Sequence, residues 1–246
     1  MKSNDDKPYI TCIVSMGRAF RVKPMEELVE NPVWFVPKDE LNDYVEEYTV
    51  GSIQPCESGL SVQRNDALEY CFKRNKICLM LDDDINGFTR IINKKKTENI
   101  SYTDTINELY TNLINSPMNM GGFSALSNLF WFDPLNRISL RTPIPTAVLM
   151  IKPSKPIFDI NMEVSEDYDF ALQHIVEYGG AMRINYIRVE VNQTRMDNKK
   201  LTFKKTMEGG IDYDIEKVKD SYYYLKKKWG NLVREGKTPY QVVFRV

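Results

Sequence analysis

Three consecutive carboxylates, Asp82-Asp83-Asp84, close the apolar run Ile77-Cys78-Leu79-Met80-Leu81. Like charges crowded at the edge of a core repel one another and lose hydration unless a cation offsets them. A hard divalent ion with oxygen ligands does so, and such ions commonly carry substrate phosphates as well. Five apolar residues in a row spell a short strand buried on both faces. In open α/β sheets, ligands sit just beyond the carboxyl ends of strands. A metal–diphosphate complex is therefore one expected occupant of this strand end, and an acidic surface turn that binds nothing is the alternative.

The elements around it must hold the carboxylates in place. In Gln63-Arg64-Asn65-Asp66-Ala67-Leu68-Glu69-Tyr70-Cys71-Phe72, the spacing of Ala67, Leu68, Cys71 and Phe72 predicts one buried helix face feeding the strand. Tyr9-Ile10-Thr11-Cys12-Ile13-Val14 reads as an opening strand and Val33-Trp34-Phe35-Val36 as a second, closed by Pro37. Short helices are expected over residues 23–30 and 40–48, and a loop over 49–61, so strand 77–81 counts as the third. Alternating strands and helices imply a parallel sheet. Residues 87–99 are polar, either a mobile excursion or the end of a hairpin. Beyond them an amphipathic helix is expected over 104–115, and a strand pair facing the substrate over 118–131. A strand over 147–151 follows, then a helix over 167–178 stopped by Gly179-Gly180. A strand over 183–191 and a long helix over 214–229 complete the chain.

This ordered set resembles the GT-A glycosyltransferases. In that family an Arg-Asn-x-Ala-Leu-like helix precedes a hydrophobic strand ending in an Asp-x-Asp motif, matched here by Arg64 to Leu68 and Asp82 to Asp84. The loop after the first strand, Ser15-Met16-Gly17-Arg18-Ala19, matches the one that holds the nucleotide base, and Glu166-Asp167-Tyr168-Asp169-Phe170 matches a later acidic motif. The likeness covers roughly residues 9–192, and the subgroup it most resembles is the TET/JBP-associated family, thought to glycosylate hydroxymethylated pyrimidines in phage DNA. It implies a GT-A domain over 9–192, a Rossmann-type mixed sheet flanked by helices, and a basic helical tail over 193–246 packed on the core.

The resemblance also implies roles. Asp84 is the expected ligand of Mn²⁺ or Mg²⁺, Asp82 a nucleotide contact and second ligand, and Asp83 the middle residue that points away. Ser15, Gly17, Arg18, Arg64 and Asn65 are expected to contact the nucleotide-sugar donor, a UDP-sugar by preference. The two arginines offer permanent, bidentate charge to a diphosphate, whereas Asn65 alternatively caps its own helix. Asp167, with Glu166 beside it, is the expected catalytic base. The competing reading is that acidic residues in a first turn simply answer the helix dipole, with Ser165 as cap. His174, the only histidine, reads as structural.

Composition bounds the rest. The 246 residues, 42% hydrophobic and 11% aromatic, suffice for a real core and argue against disorder. No apolar run approaches the roughly 20 residues of a membrane helix, and the polar N-terminus lacks a signal peptide's apolar stretch. Residence in a cytosol is expected, the host's if a phage encodes the chain. Cys12, Cys56, Cys71 and Cys78 lack Cys-x-x-Cys spacing, so a structural zinc is not expected, and three of them read as small buried hydrophobes. Residues 195–246 carry 13 Lys/Arg against 7 Asp/Glu, a net +6, while the remainder carries 20 against 27, a net −7. Such segregation is either a basic surface toward an anionic partner or an ordinary solvated helix face. Under the DNA reading, Lys226, Lys227 and Lys228 contact phosphates, and Tyr223 stacks on a base. A protein, glycan or small-molecule acceptor, or a nucleotide-binding module without catalysis, are the alternatives.

Overall fold

The computed structural model describes residues 7–47, 51–124, 133, 135–144, 147–162, 164–191 and 215–246. The amino-terminal part runs β1 (Tyr9–Val14), α1 (Val22–Leu28), β2 (Val33–Pro37), α2 (Leu41–Glu47), β3 (Ser52–Cys56), α3 (Leu60–Phe72) and β4 (Ile77–Asp82). The middle holds β5 (Ile85–Asn93), β6 (Lys96–Ile100), α4 (Tyr102–Ile114), β7 (Met120–Ser124), β8 (Ile138–Ser139) and β9 (Val148–Ile151). Then come α5 (Glu166–Tyr178), β10 (Met182–Val191), α6 (Ile215–Trp229) and the hairpin β11 (Val233–Glu235) and β12 (Val242–Phe244).

One sheet dominates, in the order β3-β2-β1-β4-β9-β7-β10-β5-β6, with β8 pairing on β10. Strands β3, β2, β1 and β4 are mutually parallel, and β9 runs antiparallel to both its neighbours. β7 and β10 are parallel, and β5 and β6 return antiparallel. This is the expected mixed α/β sheet flanked by helices. Successive side chains of a strand point to opposite faces, and the core divides accordingly. Ile13, Leu79 and Leu81 pack with Met25, Tyr44, Ile106 and Leu109 on the α1, α2 and α4 side. Cys12, Val14, Cys78 and Met80 pack with Ala67, Leu68, Phe170 and Ile175 on the α3 and α5 side. Burying each large aliphatic or aromatic side chain contributes about 1.5–3 kcal/mol. That explains why the central strands read as unbroken apolar runs.

Several expectations are corrected. Residues 52–56 form a strand, not a loop. Pro55 disguises it, but β3 is an edge strand, and an edge tolerates proline because one row of its backbone donors has no partner to lose. Of the two readings of residues 87–99, the hairpin holds: they belong to β5–β6, turning at Lys94-Lys95. β7 is buried throughout between β9 and β10, and most of the other half of the pair expected over 118–131 lies outside the described residues. Its glycines answer close packing: a Cβ on Gly122 would lie 2.5 Å from Ile144 Cγ2 and 2.7 Å from the Val148 carbonyl. Among the described residues, no helix is long and apolar enough to cross a membrane.

The tail is more than a helix. α6 and the β11–β12 hairpin bury Tyr222, Leu225, Val233 and Val242 against Met162 and Leu172 of the main body. Residues 193–214 lie outside the described residues.

Candidate functional site

β1 and β4 run side by side and in register, Val14 opposite Asp82, so their following loops leave from one edge of the sheet. At that edge the Asp triplet splits by direction. The side chains of Asp82 and Asp84 keep 27% and 20% of their surface exposed, whereas Asp83 is turned inward at 5%. Ser15 Oγ donates to Asp83 Oδ2 at 2.5 Å, Arg18 Nη1 donates to Oδ1 at 2.8 Å, and Arg21 Nε donates to the Asp83 carbonyl at 2.9 Å. The middle carboxylate thus ties the β1 loop to the β4 end and is turned away from the solvent-facing side of this edge, the opening of the candidate site.

The β1 loop is braced from α2. Tyr44 Oη lies 2.6 Å from Ser15 Oγ and accepts the Arg18 N–H at 3.1 Å. The Gly17 N–H donates to Glu40 at 2.6 Å from a left-handed backbone, φ +68°, that suits glycine. Gln63 Nε2 donates to the carbonyls of Ser15 and Phe35, joining the ends of β1 and β2. Ser15 and Gly17 therefore spend these groups on shaping the loop. Arg18, 36% exposed, reaches the opening, with Nη1 3.6 Å from Asp84 Oδ2.

Arg64 is placed differently from a surface arginine awaiting a phosphate. Its side chain is 2% exposed; Nη1 donates to Glu166, and Nη2 to Asp82 at 3.2 Å. One guanidinium thus bridges the end of β4 and the start of α5, and the expected direct donor contact gives way to a structural bridge. Asn65 is neither a cap nor at the opening. It sits inside α3, and its amide exchanges two 2.8 Å hydrogen bonds with the backbone of Phe158.

At the α5 terminus the acidic residues part company. Ser165 adopts a left-handed backbone, φ +61°, and makes no capping hydrogen bond, which corrects its reading as a cap. Such a conformation in a residue other than glycine is strained and concentrates at functional positions. Asp167 is partly buried beside Glu166, and burial first, then that neighbour, pushes its carboxyl up to about 7, with Arg64 opposing. Asp169 faces the other way. It is fully buried, accepting from Trp229 Nε1 at 2.7 Å and Gln173 Nε2 at 2.7 Å and pairing with Lys228 at 2.9 Å.

That last contact bears on the tail. Lys228 also pairs with Asp159 at 2.7 Å, and Lys226 Nζ donates to the carbonyls of Gly230 and Val233. Two of the three lysines expected on phosphate instead fasten α6 to the body and close its C-terminus. Lys227 and Tyr223 remain exposed. His174 is structural, fully buried, with Nδ1 3.0 Å from the Phe170 carbonyl and Nε2 3.3 Å from Ser154 Oγ.

The structure therefore gathers Ser15, Arg18, Arg64, Asp82, Asp84, Glu166 and Asp167 at this edge of the sheet. It adds Tyr44, Gln63 and Arg21, which no local pattern marks. The donor set suits a hard ion: two oxygen ligands face outward, and burial first, then Asp82 and Asp83, push the Asp84 carboxyl up to about 6. A carboxyl raised in the fold is easier to ionise in the unfolded chain, so it costs stability as pH climbs from about 4 past 6. Asp84→Asn is accordingly expected to raise the melting temperature at pH 8 in chelator, with the gain vanishing near pH 4. An equal or lower melting temperature at pH 8 would contradict this electrostatic picture.

No family model matches the chain, and no curated protein matches it. Among solved structures it is similar to CMP:2-keto-3-deoxy-manno-octonic acid synthetase complexed with CTP. The identity is 11% and the TM-score 0.41, over 72% of this chain and 88% of that one. It is also similar to a protein assigned as a glucose-1-phosphate thymidylyltransferase from Bacillus anthracis, in complex with a sucrose. That match has 11% identity and a TM-score of 0.41, over 72% of this chain and 86% of that one. Likeness at this level carries nothing about chemistry.

Proposed function

We propose that the chain is a metal-dependent glycosyltransferase that takes a sugar from a nucleotide sugar, a UDP-sugar by preference. The observation that carries the reading is the split of the Asp triplet: Asp83 is locked inward, leaving Asp82 and Asp84 as outward oxygen donors at the carboxyl edge of the sheet. Held by Asp82 and Asp84, Mn²⁺ or Mg²⁺ would supply Lewis-acid neutralisation of a diphosphate leaving group. Arg18 adds a partly exposed positive charge on the same side, and the braced β1 loop presents the donor's base. Nucleotidyl transfer, which also needs a metal and a nucleotide, is the competing chemistry. A panel of nucleotide sugars with Mn²⁺ tests the reading, because a ligand of the native state raises its melting temperature by mass action. Stabilisation by nucleotide sugars and release of free nucleoside diphosphate support glycosyl transfer. Consumption of a nucleoside triphosphate with pyrophosphate release favours nucleotidyl transfer.

Asp167 serves as the base that removes the acceptor hydroxyl's proton, its carboxylate accepting the Tyr168 N–H and sitting in the opposing fields of Glu166 and Arg64. A base works best with a pKa near the working pH, and the environment of Asp167 holds it at about 7. Transfer should therefore climb with pH as that carboxyl ionises and level off above about pH 7. Asp167→Asn should be slow and lose that limb. An unchanged pH profile in Asp167→Asn would remove it from the role.

The acceptor we favour is a hydroxyl on hydroxymethylated pyrimidine in DNA, supported by the basic tail. With Lys226 and Lys228 occupied, phosphate contact falls to Lys227, with Tyr223 one helical turn before it as the stacking surface. Lys227→Gln should lower the slope of DNA affinity against salt by about 0.9, the value of one phosphate contact. An unchanged slope would move a protein, glycan or small-molecule acceptor ahead.

A further inference from the structure

Between the sheet and α3, three thiols meet. Cys12 lies on β1 and Cys78 on β4. The register pairs Ile10 with Cys78 and Cys12 with Met80, so both sulfurs project from the same face of adjacent strands. Cys71, in the last turn of α3, closes a triangle over them. The three Sγ atoms lie within 4.8 Å of one another, with Cys12 and Cys71 at 3.4 Å, and all three residues are 0% exposed.

We propose that Cys12, Cys71 and Cys78 form a three-sulfur site for a soft monovalent metal ion, copper(I). Metal–thiolate bonds of about 2.3 Å put three sulfurs of a trigonal centre about 4 Å apart, close to the spacing already present. The donor set selects among metals. Structural zinc takes four ligands, and among the described residues no His, Asp, Glu or further Cys joins this group. The fourth cysteine, Cys56, turns its thiol to the Gln54 carbonyl at 3.4 Å. Ligands made only of thiolate sulfur favour Cu(I) over harder divalent ions.

Ala67, Leu68, Met80 and Phe35 belong to the same packed cluster as the three cysteines, and the Arg74 guanidinium lies near enough to favour thiolate on Cys12 and Cys71. Binding involves no change of oxidation state. Cu(I) takes the place of thiol protons, which leave to solvent, and one sulfur can stay protonated to limit buried negative charge. The thiols are already unequal. Hydrogen bonds from Cys12 and Cys78 lower the Cys71 thiol, while burial raises the other two. An ion here would clamp together β1, β4 and α3, which carry Ser15, Asp82 and Arg64 to the opening. Because a buried site of this kind is assembled as the chain folds, the metal should load most readily during refolding.

The test uses the reduced full chain, stripped of metal and refolded without oxygen in the presence of Cu(I) buffered by a chromogenic copper(I) chelator. The expected result is uptake of one copper per chain against the chelator, an ultraviolet thiolate-to-copper band, a raised melting temperature, and X-ray absorption showing three sulfur neighbours at about 2.3 Å. Cys56→Ser should keep the site, and Cys78→Ser should lose the third sulfur and the competition with the chelator. Wild-type protein that takes up no copper, or copper with fewer than three sulfurs, would overturn the proposal. So would loss of the site in a folded Cys56→Ser. If Cys78→Ser does not fold, the wild-type absorption spectrum alone decides.

Discussion

Arg64→Ala is expected to destabilise the protein by about 3–5 kcal/mol, the cost of stranding a buried charge whose partner is removed. The guanidinium is 2% exposed and touches Asp82 and Glu166, the latter's side chain itself only 10% exposed. Removing it leaves two carboxylates facing each other in a poor solvent, next to Asp167, whose carboxyl Arg64 already pulls down. Arg64→Lys should recover only part of the loss, because one ammonium cannot reproduce a planar fork to two acceptors. Urea unfolding with an unchanged slope isolates the stability change. A surface arginine waiting for a diphosphate would behave otherwise: Arg64→Ala would keep wild-type stability and lose only nucleotide affinity. That result would return Arg64 to direct donor binding.

The second large effect falls on Asp84, where stability and activity are expected to part. Asp84→Asn should gain stability at pH 8 without metal, yet lose Mn²⁺-dependent transfer. Withdrawing a ligand from a Lewis-acid site removes several kcal/mol of transition-state stabilisation, a fall of about a hundredfold or more in rate. Asp83→Asn should show the opposite balance. Its partners are Ser15, Arg18 and Arg21, so its loss loosens the β1 loop before it touches the opening. Steady-state rates and melting temperatures of the two variants, measured together, decide this. Equal effects on both quantities in both variants would mean that the triplet acts as one structural unit.

The residues explain how far the sequence reaches. The apolar run of β4 and the carboxylates after it are legible because a strand buried on both faces leaves no polar alternation. The helices α4 and α5 are legible from their spacing and stops. β3 is hidden because Pro55 contradicts a central strand, and nothing local says that this strand lies at the edge. The site is legible as a set of charges but not as a set of pairings. Asp82 and Glu166 both carry charge on the page, yet only the fold shows that Arg64 lies between them. Lys226 and Lys228 look like a phosphate-binding run until Asp159, Asp169 and two backbone carbonyls claim them. Tyr44 and Gln63 bear on the opening solely through contacts made across the fold. Likewise Cys12, Cys71 and Cys78 look like isolated small hydrophobes until two strands and a helix end bring their sulfurs together.

We propose that Asp82 and Asp84 hold a divalent ion which a nucleotide sugar needs in order to bind and react. Titration calorimetry of a UDP-sugar into the wild-type chain, first with Mn²⁺ and then with excess EDTA, tests it most directly. Saturable binding with Mn²⁺ is expected, none in EDTA, and none in Asp84→Asn under either condition. Binding of equal strength in EDTA, or in a folded Asp84→Asn, would contradict it.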